Sequence, residues 1–334
     1  MRILFVKPKH IGDGLMLTPT LTATRAAYPD AEIWVVVRKN CEGILAGCPA
    51  IDRIVTLAAP FREKRDRLNG LREFKLICQL RLKNFDYLFE LGDGDRARLF
   101  SVLVGAKNIY SVRPATPIKP FWQRRFHGIS DFEWPRRHRV EKDFFSVGQF
   151  LKLPPEIPPL IFERNKTETW LPAADLENFA VIHAGTREDF KRWPRENWLE
   201  LGRYLLNHFK KIVISAGPFA QEIEEAEWLQ KNLGAAALNT AGKTSWAQLA
   251  GLLYRAKLFV GVDTAAMHLA AACQCPVVAI FGPSLEKNWH PWKSNYRIVS
   301  DPNFEKNEPL HNRRIENVLV KDAINQCAKF LENK

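Results

Sequence analysis

Short apolar, β-branched runs alternate with helical spacings along most of the chain, a pattern that predicts parallel sheets covered by helices. Arg2–Lys7, Glu32–Arg38, Arg53–Leu57, Phe85–Leu91 and Asn108–Val112 have the length and composition of buried strands. A Pro-rich, basic stretch without clear period runs from Arg113 to Arg137, and Val140–Leu151 then reads as a helix. Pro154, Pro155, Pro158 and Pro159 stiffen the chain and mark a linker. Beyond it, Ala180–His183, Lys211–Ala216, Lys257–Val262 and Pro276–Phe281 are again strand-like. Trp198, Leu201 and Leu205 keep an i, i+3, i+7 spacing, as do Trp246, Leu249 and Leu253, so each trio makes one buried helical stripe. Ser245 and Gln248 form a capping box ahead of the second trio, and Val320–Leu331 closes the chain as a helix.

At 334 residues the chain exceeds what one hydrophobic core holds. The linker therefore divides it into two α/β domains, residues 1–155 and 156–334, with the last helix free to pack back on the first. Ligands of such sheets bind beyond the carboxyl ends of the strands, so a cleft between the domains is the expected site. No apolar run is long enough to span a membrane, and Ile3–Val6 is too short for a signal-peptide core, which leads to the expectation of a cytoplasmic protein. The six cysteines include no C-x-x-C pair and no zinc spacing, and are expected to be reduced and mostly buried.

Charge changes the picture. Residues 1–155 carry 27 Lys and Arg against 16 Asp and Glu, a balance of +11, whereas residues 156–334 balance at +1. Arg62–Lys83 and Arg113–Lys142 each hold eight basic residues against three acidic. Such a field attracts phosphates on lipid, sugar or nucleic acid, although basic residues also simply solvate exposed loops. The pI of about 9.5 admits a non-catalytic nucleic-acid binder. Against it, the aromatic residues form no regular stacking platform, and no helix-turn-helix or zinc finger is legible.

Three junctions could carry chemistry. His10-Ile-Gly12-Asp13-Gly14 follows the first strand, where flanking glycines let a ligand approach and the aspartate projects from the strand end. A dinucleotide loop would need a third glycine where Leu17 stands, and a turn aspartate capping the next helix is the plainer alternative. His183-Ala-Gly185-Thr186-Arg187 with Lys191-Arg192-Trp193-Pro194 offers backbone room, a hydroxyl and cations, as a diphosphate requires. His183 itself, inside an apolar strand, reads as a hydrogen-bonded core histidine. The most specific junction is Gly261-Val-Asp263-Thr264-Ala265-Ala-Met-His268, where a strand runs straight into a helix whose free N–H groups would face an anion. Thr264 and His268 share one helical face, though a simple cap with an inward histidine fits the same residues. Glu222, after Ser215-Ala216-Gly217, adds a carboxylate suited to ribose hydroxyls.

Together these pieces resemble the ADP-heptose:lipopolysaccharide heptosyltransferases, glycosyltransferase family nine, over nearly the whole chain. The resemblance rests on Met1–Lys7 with Gly12-Asp13 and Thr18-Pro19, on Lys191–Pro194, on Gly261–Thr264 through His268–Ala271, and on Phe281-Gly-Pro283. Phe190-Lys191-x-Trp193 and Trp289-His-Pro-Trp292 look most like the branch that adds the third, side-branch heptose. The resemblance implies a GT-B fold of two Rossmann-like domains, an ADP-heptose donor held by the C-terminal domain, and inversion at the anomeric carbon. The phosphorylated lipid A-core acceptor would be held by the N-terminal domain at the inner face of the inner membrane.

It further implies Asp13 as general base, with Thr186, Arg187, Lys191, Glu222, Asp263, Thr264, Ala265 and His268 on the donor. Lys7, Lys9, Gly12, Gly14, Arg62 and Arg124 would serve the acceptor. Ala265 departs from the glycine common at its position. No metal is expected, and nucleic acid is not an expected partner. A sugar-nucleotide epimerase on the same fold is the enzymatic alternative.

Overall fold

A parallel strand covered on both faces needs an unbroken apolar run, and both sheets are built from such runs. The computed structural model describes residues 1–57, 67–114, 117–302 and 310–332, and the chain divides into two compact units, Met1–Ile161 and Phe162–Lys334.

The first unit runs β1 (Arg2–Val6), α1 (Ile11–Met16), α2 (Thr18–Ala27), β2 (Glu32–Arg38), β3 (Arg53–Leu57), α3 (Arg67–Arg81), β4 (Tyr87–Glu90), α4 (Asp95–Val104), β5 (Asn108–Ser111), α5 (Pro120–Gln123), β6 (Gly128–Ile129) and α6 (Arg139–Gly148). Its strands are parallel in the order β3-β2-β1-β4-β5-β6. Leu4, Val6, Val36, Leu88 and Phe100 are buried in one core cluster, and Phe5 stacks on Phe89 with ring centroids 5.4 Å apart.

The second unit runs β7 (Phe179–His183), α7 (Arg195–Leu206), β8 (Lys211–Ser215), α8 (Ala220–Leu233), β9 (Ala237–Asn239), α9 (Trp246–Leu253), β10 (Leu258–Val262), α10 (Ala265–Ala272), β11 (Val277–Phe281), α11 (Glu286–Trp289), β12 (Tyr296–Ser300) and α12 (Val320–Leu331). Its parallel order is β12-β11-β10-β7-β8-β9. Trp198, Leu201 and Leu205 are buried as expected. The Ser245 and Gln248 capping box is made in both directions, at 3.1 and 2.9 Å. α12, expected as free to return to the first domain, packs on α7, β11 and β12, with Ala323 and Cys327 fully buried in the second unit's core.

Both sheets follow the same doubly wound order, reversing direction between β1 and β4 in one and between β7 and β10 in the other. At such a reversal the loops leaving adjacent strands diverge and open a crevice at their carboxyl ends. The first, second and third junctions of the sequence all lie beside these reversals.

Three strands escape the sequence pattern. β6 and β9 hold two and three residues, too few to show a period, and β12 is an edge strand whose residues are mostly half-buried. One helix starts early: α1 begins at Ile11, so Gly12 and Gly14 lie inside a helix and not in a loop before it. Five cysteines are buried and Cys78 is exposed, all six as free thiols. No helix among the described residues is long and apolar enough to cross a membrane.

Candidate functional site

In the first unit the reversal places Asp13 just past the end of β1. His10 caps α1, and its N–H donates to Asp13 Oδ2 at 3.2 Å while the Asp13 N–H donates to the His10 carbonyl at 3.1 Å. The aspartate therefore does act as a capping residue, but one long hydrogen bond occupies only one of its two oxygens. Gly14 is not sterically compelled, because an added Cβ would meet Ile44 and Leu45 at ordinary distances of 3.6 Å and more.

Beneath Asp13 lies a lattice of buried charges. Lys7, 4% exposed at the end of β1, is ion-paired with the fully buried Asp143 of α6. Lys142 meets Asp93 at 3.0 Å, and Arg98 meets Asp93 at 3.4 Å, Glu90 at 3.9 Å and, at the surface, the exposed Asp95 at 3.1 Å. Glu90 also accepts from the Ser111 hydroxyl at 2.6 Å and the Asp93 N–H at 2.8 Å. Trp134 presents its face to two cations, Lys142 Nζ at 3.9 Å and the Arg139 guanidinium at 4.2 Å. Burial pushes the Asp143 and Glu90 carboxyls up and brings the Lys142 ammonium down to about 8. Asp13 contributes to the field felt by both Asp143 and Arg139.

Sequence reasoning missed this lattice. Its signal is the run Glu90-Leu-Gly92-Asp93-Gly94-Asp95 leaving β4, an acid- and glycine-rich turn at the other side of the reversal from Asp13. Gly92 is required there, since an added Cβ would lie 2.6 Å from that of Ala97.

In the second unit the corresponding reversal gathers three strand ends. β7 closes on His183, which is buried and bonded through Nδ1 to the Ser215 hydroxyl at 3.1 Å. Burial lowers its pKa to about 4, so it is neutral near pH 7, a core histidine as its strand context implied. Thr186 is buried just beyond, and Arg187 is exposed with its guanidinium 4.8 Å from the Phe219 ring centre. Lys191 Nζ reaches across to the end of β10, donating to Asp263 Oδ2 at 2.7 Å and to the Asp263 carbonyl at 3.1 Å.

From β8, Glu222 at the start of α8 is 4% exposed and accepts the Gly217 N–H at 2.6 Å. Burial raises its carboxyl pKa. An added Cβ at Gly185 would sit 2.5 Å from Glu222 Oε2, and one at Gly217 would sit 2.6 Å from it. Both glycines thus make room for the acid.

Thr264 is the N-cap of α10 with extended backbone, but its side chain makes no cap bond. Its hydroxyl is buried and has no hydrogen-bond partner among the described residues. A buried hydroxyl left open costs free energy, and here it stands beside the unsatisfied N–H groups of a helix start. Ala265 opens that helix and is half-exposed, while His268 is buried one turn further in. Lys191, Asp263 and Thr264 are therefore brought to one place, a lysine ammonium and a helix N-terminus together, which is chemistry suited to a diphosphate.

Of the residues assigned to the acceptor, Lys7 is buried in its ion pair, Lys9 is half-buried and Arg124 is exposed after α5. Arg62 lies outside the described residues. Among the described residues there is no cluster of three or more His, Cys, Asp or Glu side chains placed to hold a metal ion.

The chain matches the family model of glycosyltransferase family 9 (heptosyltransferase) over residues 73–319 and belongs to that family. It is accordingly a glycosyltransferase. It is 24% identical to lipopolysaccharide heptosyltransferase 3 of Escherichia coli K12 over 344 residues, covering 97% of this chain and 96% of that protein. In fold it is similar to a glycosyltransferase family 9 structure from Veillonella parvula, with a TM-score of 0.83 at 17% identity, covering 100% of this chain and 97% of the other. A TM-score of 0.78 at 22% identity relates it to an E. coli heptosyltransferase solved with ADP-2-deoxy-2-fluoro heptose, covering 100% of this chain and 99% of the other.

Proposed function

We propose that this glycosyltransferase moves heptose from ADP-heptose to a hydroxyl of the phosphorylated inner core of lipopolysaccharide, with inversion at the anomeric carbon. The second unit holds the donor and the first, basic unit holds the acceptor. What carries this reading is the Lys191 ammonium beside Asp263 at the start of α10, where the buried Thr264 hydroxyl is unpartnered among the described residues.

In the proposed step Asp13 takes the proton of the acceptor hydroxyl as its oxygen attacks the anomeric carbon from the face opposite ADP. The carbon–oxygen bond to ADP breaks, and negative charge gathers on the diphosphate. Lys191, Thr186, Arg187 and the N–H groups at the start of α10 receive it. Glu222, seated against Gly217, takes the ribose hydroxyls, and the buried His268 supports the α10 turn under the donor. No role is assigned to a metal. The acceptor is lipid-linked, so the enzyme works in peripheral contact with the cytoplasmic face of the inner membrane, drawn there by its positive N-terminal half.

The test is a transfer assay with ADP-heptose and truncated core acceptors, reading product mass and linkage. Asp13→Ala is expected to lower turnover by about 10²–10⁴, while the loss of its capping hydrogen bond costs only about 0.5–2 kcal/mol of stability and leaves the protein folded under assay conditions. Near-normal turnover in that variant would remove the base assignment, and isomerised ADP-heptose formed without acceptor would point to an epimerase instead.

A further inference from the structure

α3 is apolar on two faces, and only one of them is used by the core. Leu76, Ile77 and Leu80 pack inward on the sheet. On the opposite side Leu71, Phe74, Cys78 and Leu82 follow each other at three- and four-residue steps, which places them in one row along the helix. Leu82 lies one residue past the helix end but keeps the row, because its N–H still bonds the Cys78 carbonyl at 3.2 Å. The row is open to solvent: Leu71 is 67% exposed, Phe74 65% and Leu82 79%. A single exposed leucine calls for no explanation, but a row of this kind does.

The next row around the helix is Arg72, Lys75, Gln79 and Lys83, all exposed. Beside α3 stands α4, tied to it by the Arg96 to Glu73 ion pair at 2.9 Å and by Arg81 donating to the Leu103 carbonyl at 3.0 Å. α4 adds two more exposed leucines, Leu99 and Leu103.

An apolar row flanked by long cationic side chains is the arrangement of a helix lying in a membrane interface. The apolar groups enter the acyl boundary while the ammonium and guanidinium groups stay among the headgroup phosphates. A second copy of the chain is a poorer occupant. Packing two such faces together would set Arg72, Lys75 and Lys83 of each copy near those of the other with no acid in the row to offset them.

We propose that the outer face of α3, with Leu99 and Leu103 of α4, inserts shallowly into an anionic lipid surface. This deepens the membrane contact of the proposed function, from electrostatic attraction alone to insertion of named side chains. It does not depend on which sugar is transferred.

The chain supplies its own probe, because Cys78 is exposed within the row and the other five cysteines are buried. An environment-sensitive fluorophore on Cys78 of the full-length protein is mixed with vesicles of phosphatidylethanolamine and phosphatidylglycerol, without substrate. The emission is expected to shift to the blue, and to do so far less with phosphatidylcholine vesicles. Unlabelled protein is then co-sedimented with the same vesicles. The triple variant Leu71→Gln, Phe74→Gln, Leu82→Gln is expected to bind about tenfold more weakly, with an unchanged thermal midpoint. Arg72→Gln with Lys75→Gln should weaken the encounter at low salt.

Three results would overturn the proposal. One is no blue shift with anionic vesicles. Another is vesicle binding that salt abolishes completely and the triple variant leaves intact. The third is a shift that appears without lipid and grows with protein concentration, which would identify a second copy as the occupant. Since no substrate enters these measurements, a failed transfer assay leaves them standing, and their failure leaves the transfer reaction untouched.

Discussion

His183 shows how a single side chain can set the acid tolerance of a unit. Its ordinary pKa is 6.5 and burial brings it to about 4 in the fold. Between these values the unfolded chain binds the proton and the folded chain does not, so stability rises with pH across the window. The contribution is fully present above about pH 6.5 and is lost as pH falls toward 4, a span on the order of 3 kcal/mol. Urea unfolding at about pH 7 and pH 4.5 is expected to show this loss in the parent chain and a flatter response in His183→Gln. That His183 belongs to the core was legible from the apolar run around it. The pairing of Lys191 with Asp263 was not: both residues stand out in the sequence, but only the adjacency of β7 and β10 brings together groups 72 positions apart.

At the scale of elements, the Lys7 and Asp143 pair joins the end of the central strand β1 to the helix α6. Neither group reaches water, so removing one partner strands the other. Asp143→Asn is expected to destabilise the first unit by about 3–5 kcal/mol, and Lys7→Met with Asp143→Leu by much less, because neither member of the pair is then left buried without its opposite charge. Chemical denaturation of the intact protein, followed by a probe in the first unit, distinguishes the two. No sequence pattern announced this link, since Lys7 and Asp143 come from segments read separately, one as a strand end and the other as a helix. β1, β2, β7 and β11 were legible as unbroken runs of four or more apolar residues, and β3, β4, β5, β8 and β10 from shorter β-branched and aromatic runs. β6 and β9 were not, because two or three residues pair only when a neighbouring strand is already in place.

Across the whole molecule, charge is distributed by unit. Nearly all the positive excess lies in residues 1–155, in a unit whose interior ion pairs already balance much of its buried charge. The excess is therefore carried by exposed groups, which salt screens over about 8–10 Å at ordinary ionic strength. Titration calorimetry with a truncated, phosphorylated core acceptor is expected to show affinity falling severalfold as salt is raised from about 0.05 to 0.5 M. The asymmetry was readable from the residue counts of the two halves, and the doubled α/β alternation from the spacing of apolar runs along the chain. That both units share one winding order was not, because strand order depends on pairings between distant segments.

The seat of Glu222 is defined by hydrogens where other residues would carry carbon. Gly185 and Gly217 close on the acid so tightly that a single methyl on either would evict it. An exhaustive substitution scan should therefore find the rim of this pocket intolerant at two positions with no reactive group of their own. Replacing Glu222 by a smaller residue should relax that intolerance at Gly217 but not at Gly185, where an added Cβ would still lie 2.8 Å from that of Ala216, so that only at Gly217 is the requirement for glycine set by its acidic neighbour.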